Sequence, residues 1–289
     1  MHTHIRRAGF TLVELIVAMT IILILATLAV ALLPRLGHQE RSARGADLLQ
    51  RWLLIAKMRA QADRTPSGLR FIVDPSDPNV VREIHYIQVP EPYSKGLFLN
   101  GGQGRSTFQG ADFDGGAGLT SPDQAPVQPG DYLEVYGGGP VTQITAVTGP
   151  NSTGLYSLAH TGTTPSSGSP TSNYRIIRQP RRIQGEAPLL MPQDIGIDLS
   201  RSLNLPVRMV GTTPFREVLF APGGGVIGRG TTDSKIIFWV RDMTLDSPTA
   251  GGPTLIVVHT RTGLIAAHPV DIAGSDPYSF TRDPRSSGL

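Results

Sequence analysis

Glu14 is the only charged residue in the 24-residue run FTLVELIVAMTIILILATLAVALL, Phe10 to Leu33. A carboxylate in so apolar a setting is costly unless a cation meets it or it reaches water. Gly9 and Phe10 stand just ahead of it, and Arg6 and Arg7 ahead of those. Elsewhere the residues that could do chemistry are sparse. The seven histidines are scattered, with no H-E-x-x-H or other close ligand pairing. DFDGG, Asp112 to Gly116, opens like a calcium loop but lacks the third Asp or Asn and the distal Glu, so it reads as a polar turn and no metal is assigned. GGGVIG, Gly223 to Gly228, satisfies G-x-G-x-x-G, yet RGTTDSKIIFWV follows where a phosphate-binding helix should start, so a β-turn is the reading. NST, Asn151 to Thr153, matches a glycosylation acceptor, a triplet common by chance. With no Walker A sequence, no G-x-S-x-G elbow and no distinguishable Ser/His/Asp set, nothing makes a case for an enzyme or implies a cofactor.

One basic cluster stands out. YRIIRQPRR gathers Arg175, Arg178, Arg181 and Arg182 beside Tyr174, a composition that could meet nucleic-acid phosphates. The same residues suit a polar strand end with interstrand pairing. Aromatic content of 6% is thin for base stacking, and a net charge of +3 argues only weakly for a polyanionic partner.

The elements that must position these residues follow from composition and period. The 289 residues suffice for one or two packed domains. A charged fraction of 17% with 33 Gly and 24 Pro fits an antiparallel β protein. The absence of cysteine excludes disulfides, thiolate metal sites and cysteine nucleophiles.

As a helix the Phe10–Leu33 run would be about 36 Å long, enough to span a bilayer. Three readings compete for it. A secretory signal would use Ala29 to Ala31 as its A-x-A site, but the run is too long for one. A plain membrane anchor explains the length and leaves Glu14 idle. The third uses every residue. Gly9 to Glu14, GFTLVE, resembles the cleavage and methylation signature of type IV prepilins and pseudopilins.

That resemblance implies a prepilin peptidase cutting on the cytoplasmic side between Gly9 and Phe10, then methylating the new amine of Phe10. Gly9, without a Cβ, lets the protease approach the backbone closely. Cleavage would create an ammonium four residues from Glu14, at a helix start whose amide dipoles also favour an anion. In filaments of this family the glutamate is thought to pair with the N-terminal amine of a neighbouring subunit, so Glu14 would set subunit register. A glutamate snorkelling to the headgroups is the plainer alternative. The family further implies a single-pass inner-membrane protein of a bacterium with a periplasmic head, and other pilin or pseudopilin subunits as partners. A DNA-binding pilin for DNA uptake and a plain membrane-anchored β protein stand as alternatives.

Pro34 closes the apolar run and is a candidate kink. Beyond it Ala46, Leu49, Leu53, Ala56 and Ala60 recur at steps of three and four, predicting an amphipathic helix packed on a sheet and ended by TPSG, Thr65 to Gly68. Gly68–Asp74 and Val80–Val89 predict a hairpin around PSDPN. From about Pro90 a Gly-, Ser- and Asp-rich stretch predicts a long loop, followed by short strands DYLEVYG, VTQITAVTG, GLYSLAH and NYRIIRQ. The main sheet is expected to resume at Pro188–Ser200, then FREVLFAPGGGVIG, KIIFWVRD and a strand pair around the turn Arg261 to Gly263.

The expected fold is therefore α+β, a long N-terminal helix packed on an antiparallel sheet head. Its parts are a leader at 1–9, a transmembrane or filament-core helix at 10–33, an amphipathic continuation at 34–65, a head at 66–90 and 186–272, a loop-rich β insertion at 91–185 and a flexible tail at 273–289. The order of the head elements, with Phe220, Pro222 and Gly223 or Gly224 forming an F-x-P-x-G type turn, resembles the GspH/FimT-type minor pseudopilins. The insertion departs from that branch.

Overall fold

A computed structural model describes residues 12–115, 124–166, 170–210, 213–228 and 233–283, excepting the side chains of 28–39. One helix, α1 (Leu12–Asp63), runs unbroken for 52 residues, about 78 Å at 1.5 Å per residue. The helix continues through Pro34, the candidate kink, into the expected amphipathic part. Gly45 and the predicted stripe Ala46, Leu49, Leu53, Ala56 and Ala60 are buried, the last four completely. These small residues let the helix lie close to the sheet: a Cβ on Gly45 would come 2.5 Å from Ile195 Cγ2. Arg64, in the left-handed region at φ 55°, then turns the chain into the head.

The hairpin β1 (Ser67–Asp74) and β2 (Asp77–Gln88) follows. Six strands come next, β3 (Leu97–Asn100), β4 (Gln103–Gln109), β5 (Tyr132–Val135), β6 (Thr142–Thr148), β7 (Leu155–Thr163) and β8 (Tyr174–Ile177). The chain returns through the short β9 (Arg181–Arg182) and β10 (Leu189–Leu190) to β11 (Ile195–Asp198), β12 (Val207–Val210) and β13 (Thr213–Phe220). It ends with β14 (Val226–Ile227), β15 (Lys235–Asp242), β16 (Thr254–His259) and β17 (Ile265–Pro269).

Two antiparallel sheets result. The larger has the order β12-β13-β1-β2-β11-β15-β16-β17, with β9 and β10 on β2 and β14 on β13; the smaller is β3-β4-β7-β6-β5-β8. One face of the larger sheet, including Leu69, Phe71, Ile84, Val218, Phe220, Phe238 and Val258, packs under the α1 stripe. The fold is therefore α+β, an N-terminal helix on a large antiparallel sheet. Strands β15 and β16 are buried on both faces, which is why they read as continuous apolar runs. Their far face carries Ile237, Trp239, Leu255 and Val257.

Two stretches differ from expectation. The Gly- and Ser-rich stretch after Pro90, expected to be a long loop, contains the hairpin β3–β4. Phe98 and Phe108 supply its driving force by packing with Phe113, Tyr156 and Tyr174 into the smaller sheet's own core. The tail, expected to be loosely ordered, is docked over its described part: Tyr278 stacks edge-on against Trp239 at 5.7 Å and donates to Arg201 O at 2.7 Å. Thr281 is buried beside it, accepting from Lys235 Nζ at 2.9 Å.

Candidate functional site

Gly9 and Phe10, the expected cut site, lie outside the described residues, as does the leader at 1–9. Glu14 lies in the first turn of α1, where exposed amide N–H groups and the helix dipole favour a carboxylate. Around it every described side chain from Leu12 to Thr27 is exposed, among them Leu15, Ile16, Ile22, Leu23 and Ile24. Among the described residues nothing covers the apolar side chains from Leu12 to Thr27. Thr20 and Thr27 turn their hydroxyls inward, donating to the carbonyls of Ile16 and Leu23 or Ile24. Such back-bonding removes a polar group from an otherwise apolar surface. Among the described residues no helix is long and apolar enough to cross a membrane. The described side chains of the apolar run stop at Thr27, and those of 28–33 lie outside the set.

Of the four arginines of YRIIRQPRR, Arg178, Arg181 and Arg182 line one cleft and Arg175 stands apart from it on β8, each with a partner. Arg175 pairs with Glu134 on neighbouring β5 at 2.6 Å, and Arg178 donates to Glu91 O at 2.5 Å. Arg181 pairs at 2.5 Å with Asp131, a fully buried carboxylate. Burial pushes the Asp131 carboxyl up and the Arg181 guanidinium down from their ordinary values, while their mutual attraction opposes both shifts. Arg182 donates to Glu186 O at 3.1 Å, and the Glu186 carboxylate meets Arg59 of α1 at 2.6 Å. Arg44, about four turns back along the helix, pairs with Glu40. Carboxylates therefore meet several of the arginines that could have formed one bare basic face.

The remaining motifs resolve into turns. Gly223–Gly228 closes β13 onto β14 with Ala221 N on Gly225 O at 2.7 Å and Gly224 at φ +88°. A strand, not a helix N-terminus, follows it. Asn151 Oδ1 accepts from Thr153 N, Thr153 Oγ1 and Leu155 N at 2.7–3.0 Å, holding the β6–β7 turn. Asp114 of DFDGG accepts from Tyr156 at 2.5 Å, and Gly116 lies outside the described residues. No group of three or more metal-ligating side chains is present among the described residues.

Two polar clusters escaped the sequence. Glu217 on β13 is shared by Arg70 at 2.6 Å and Arg208 at 2.8 Å. In the smaller sheet Ser106, His160 and Thr164 join through bonds of 2.8 and 2.9 Å in a buried core site. No local spacing announces either, since Arg70, Arg208 and Glu217 lie on three strands and Ser106 is far in sequence from His160 and Thr164.

No curated protein and no solved structure matches the chain. A model of the prokaryotic N-terminal methylation motif matches residues 5–30, the segment that holds Gly9, Phe10, Glu14 and the exposed start of α1. That motif indicates a prepilin peptidase substrate of the pilin or pseudopilin type.

Proposed function

We propose that the chain is a structural minor pilin or pseudopilin subunit. Prepilin peptidase cleaves it between Gly9 and Phe10 and methylates the Phe10 amine. Its N-terminal helix first anchors it in the bacterial inner membrane, with the head in the periplasm, and then packs beside the helices of other subunits. The filament is a type II secretion pseudopilus or a type IV pilus, and the GspH/FimT-type branch is the one its head order resembles. The observation that carries this reading is the methylation motif at residues 5–30 leading into a helix whose described apolar side chains from Leu12 to Thr27 are all exposed. A surface of that kind needs lipid or other helices to cover it. Glu14 lies in the first turn of α1; there it would meet a new N-terminal ammonium across a subunit contact, where a desolvated pair is strongly selective for register. The head contributes no catalytic chemistry to this role.

Mass spectrometry of the mature N-terminus tests it. A chain beginning at N-methyl-Phe10 is the expected result. An intact Met1, or a start at Leu32 after the A-x-A site, would overturn the reading.

A further inference from the structure

The segment returning from the smaller sheet to the larger one borders a cleft of about 270 Å³ lined by Arg70, Arg181, Arg182, Arg208, Asp131 and Phe215. Glu217 compensates Arg70 and Arg208 together, and Asp131 compensates Arg181. Four guanidiniums thus meet two carboxylates. At the rim His85 is matched by Glu83 at 2.6 Å. Among the described residues Arg182 donates to a neutral carbonyl, Glu186 O, while the Glu186 carboxylate is engaged by Arg59. Arg181 Nε is buried with no hydrogen-bond partner among the described residues. The guanidiniums of Arg70 and Arg208 lie over the Phe215 ring at 4.6 and 5.1 Å, which holds both forks in place.

A surplus of positive charge in a half-enclosed cleft favours an anion there. Fixed guanidinium forks suit the oxygens of phosphate. The surplus of two charges fits a dianion. The volume leaves room beside a tetrahedral oxyanion for a small organic body, and Phe215, Ile72 and Val210 offer it apolar wall. We propose that this seam cleft binds a phosphate monoester, with Arg181 and Arg182 meeting the phosphate and Phe215 meeting the body. This site is independent of the N-terminal motif and of filament assembly.

Calorimetric titration of the detergent-solubilised full chain tests it at about pH 8, where a monoester is a dianion. Phenyl phosphate serves as the soluble probe and dioctanoyl phosphatidic acid as the lipid one; the tighter of the two identifies the source, and either upholds the site. Binding should weaken as salt rises. Arg182→Gln, at an exposed position, should cost about tenfold in affinity with an unchanged melting temperature. Phe215→Ala should weaken phenyl phosphate more than inorganic phosphate. Absence of heat with both probes up to about 10 mM, or equal affinity in Arg182→Gln, would overturn the proposal.

Discussion

A Cβ placed on Gly263 would fall 1.9 Å from the carbonyl oxygen of Gly224. The turn after β16 and the turn after β13 therefore touch backbone to backbone. Lys57 of α1 seals the contact, its Nζ donating to Gly263 O at 2.9 Å and Thr262 O at 3.1 Å. Two glycine-bearing turns that resemble nothing more than punctuation in sequence thus form a clasp under the end of the helix. Gly263 also sits at φ +59°, in the left-handed region. Gly263→Ala should cost about 3 kcal/mol or more in chemical denaturation, because backbone rather than a movable side chain stands in the way. Gly223→Ala, with open space around its Cβ position, should change stability by less than about 0.5 kcal/mol.

The helix stripe gives a second test. Leu53 is completely buried against the sheet, while Met58, five residues on, is 65% exposed. Leu53→Ala should destabilise by about 2–5 kcal/mol through lost burial and a residual cavity. Met58→Ala should lie within about 0.5 kcal/mol of the parent. Equal effects would mean that the helix is rotated relative to the sheet.

The contrast between those two residues is legible in the sequence itself, because a 3.6-residue period on one helix face needs only local information. Strands β15 and β16 are legible for a similar reason, as unbroken apolar runs. The β3–β4 hairpin is not. Its flanking Gly, Ser and Gln residues mask Phe98 and Phe108, and the Tyr174 ring that Phe108 meets lies far along the chain. Gly9, Phe10 and Glu14 are readable as a motif, since a short local spacing carries it and the motif model matches over residues 5–30. The seam cluster is half legible: four arginines stand together in sequence, but Asp131 is 50 residues from Arg181 and Glu217 is 147 from Arg70. Antiparallel pairing sets such meetings, and no local spacing encodes them.

Asp131 and Arg181 should behave as a unit. Asp131→Ala leaves a buried guanidinium without its counter-charge and should cost about 3–5 kcal/mol, whereas Asp131→Ala combined with Arg181→Met should recover most of the loss. Arg44→Ala, which breaks an ion pair exposed on both sides, should cost no more than about 1 kcal/mol. Urea denaturation of these variants beside the parent checks the coupling.

Stability should fall with acid through His259. Burial, and then the charge of Lys235 opposite it on β15, hold the imidazole below its ordinary 6.5. The unfolded chain takes up this proton as pH falls through 6.5 while the folded chain resists it, so folding loses free energy on the acid side of that value. The denaturation midpoint should therefore decline between about pH 7.5 and 5.5, and His259→Gln should flatten that decline. An unchanged slope in the variant would assign the pH dependence to other groups.

Glu14→Ala separates processing from assembly. On the proposed reading the cut falls between Gly9 and Phe10, upstream of the substitution, so the variant should still yield a mature chain that starts at Phe10. Membrane insertion should persist, because removing a carboxylate makes the helix start more apolar. Assembly should fail, since an ammonium on Phe10 without its carboxylate would have to be buried unpaired between helices, and that penalty falls only on the packed state. Glu14→Gln keeps the shape and a hydrogen-bond acceptor while losing the charge, and should assemble poorly as well. Fractionation of mature chain between membrane and sheared filament reads the outcome. Normal filaments from both variants would leave Glu14 as a headgroup-seeking residue at the end of an anchor, and subunit register would then have to come from the apolar side chains between Leu12 and Thr27.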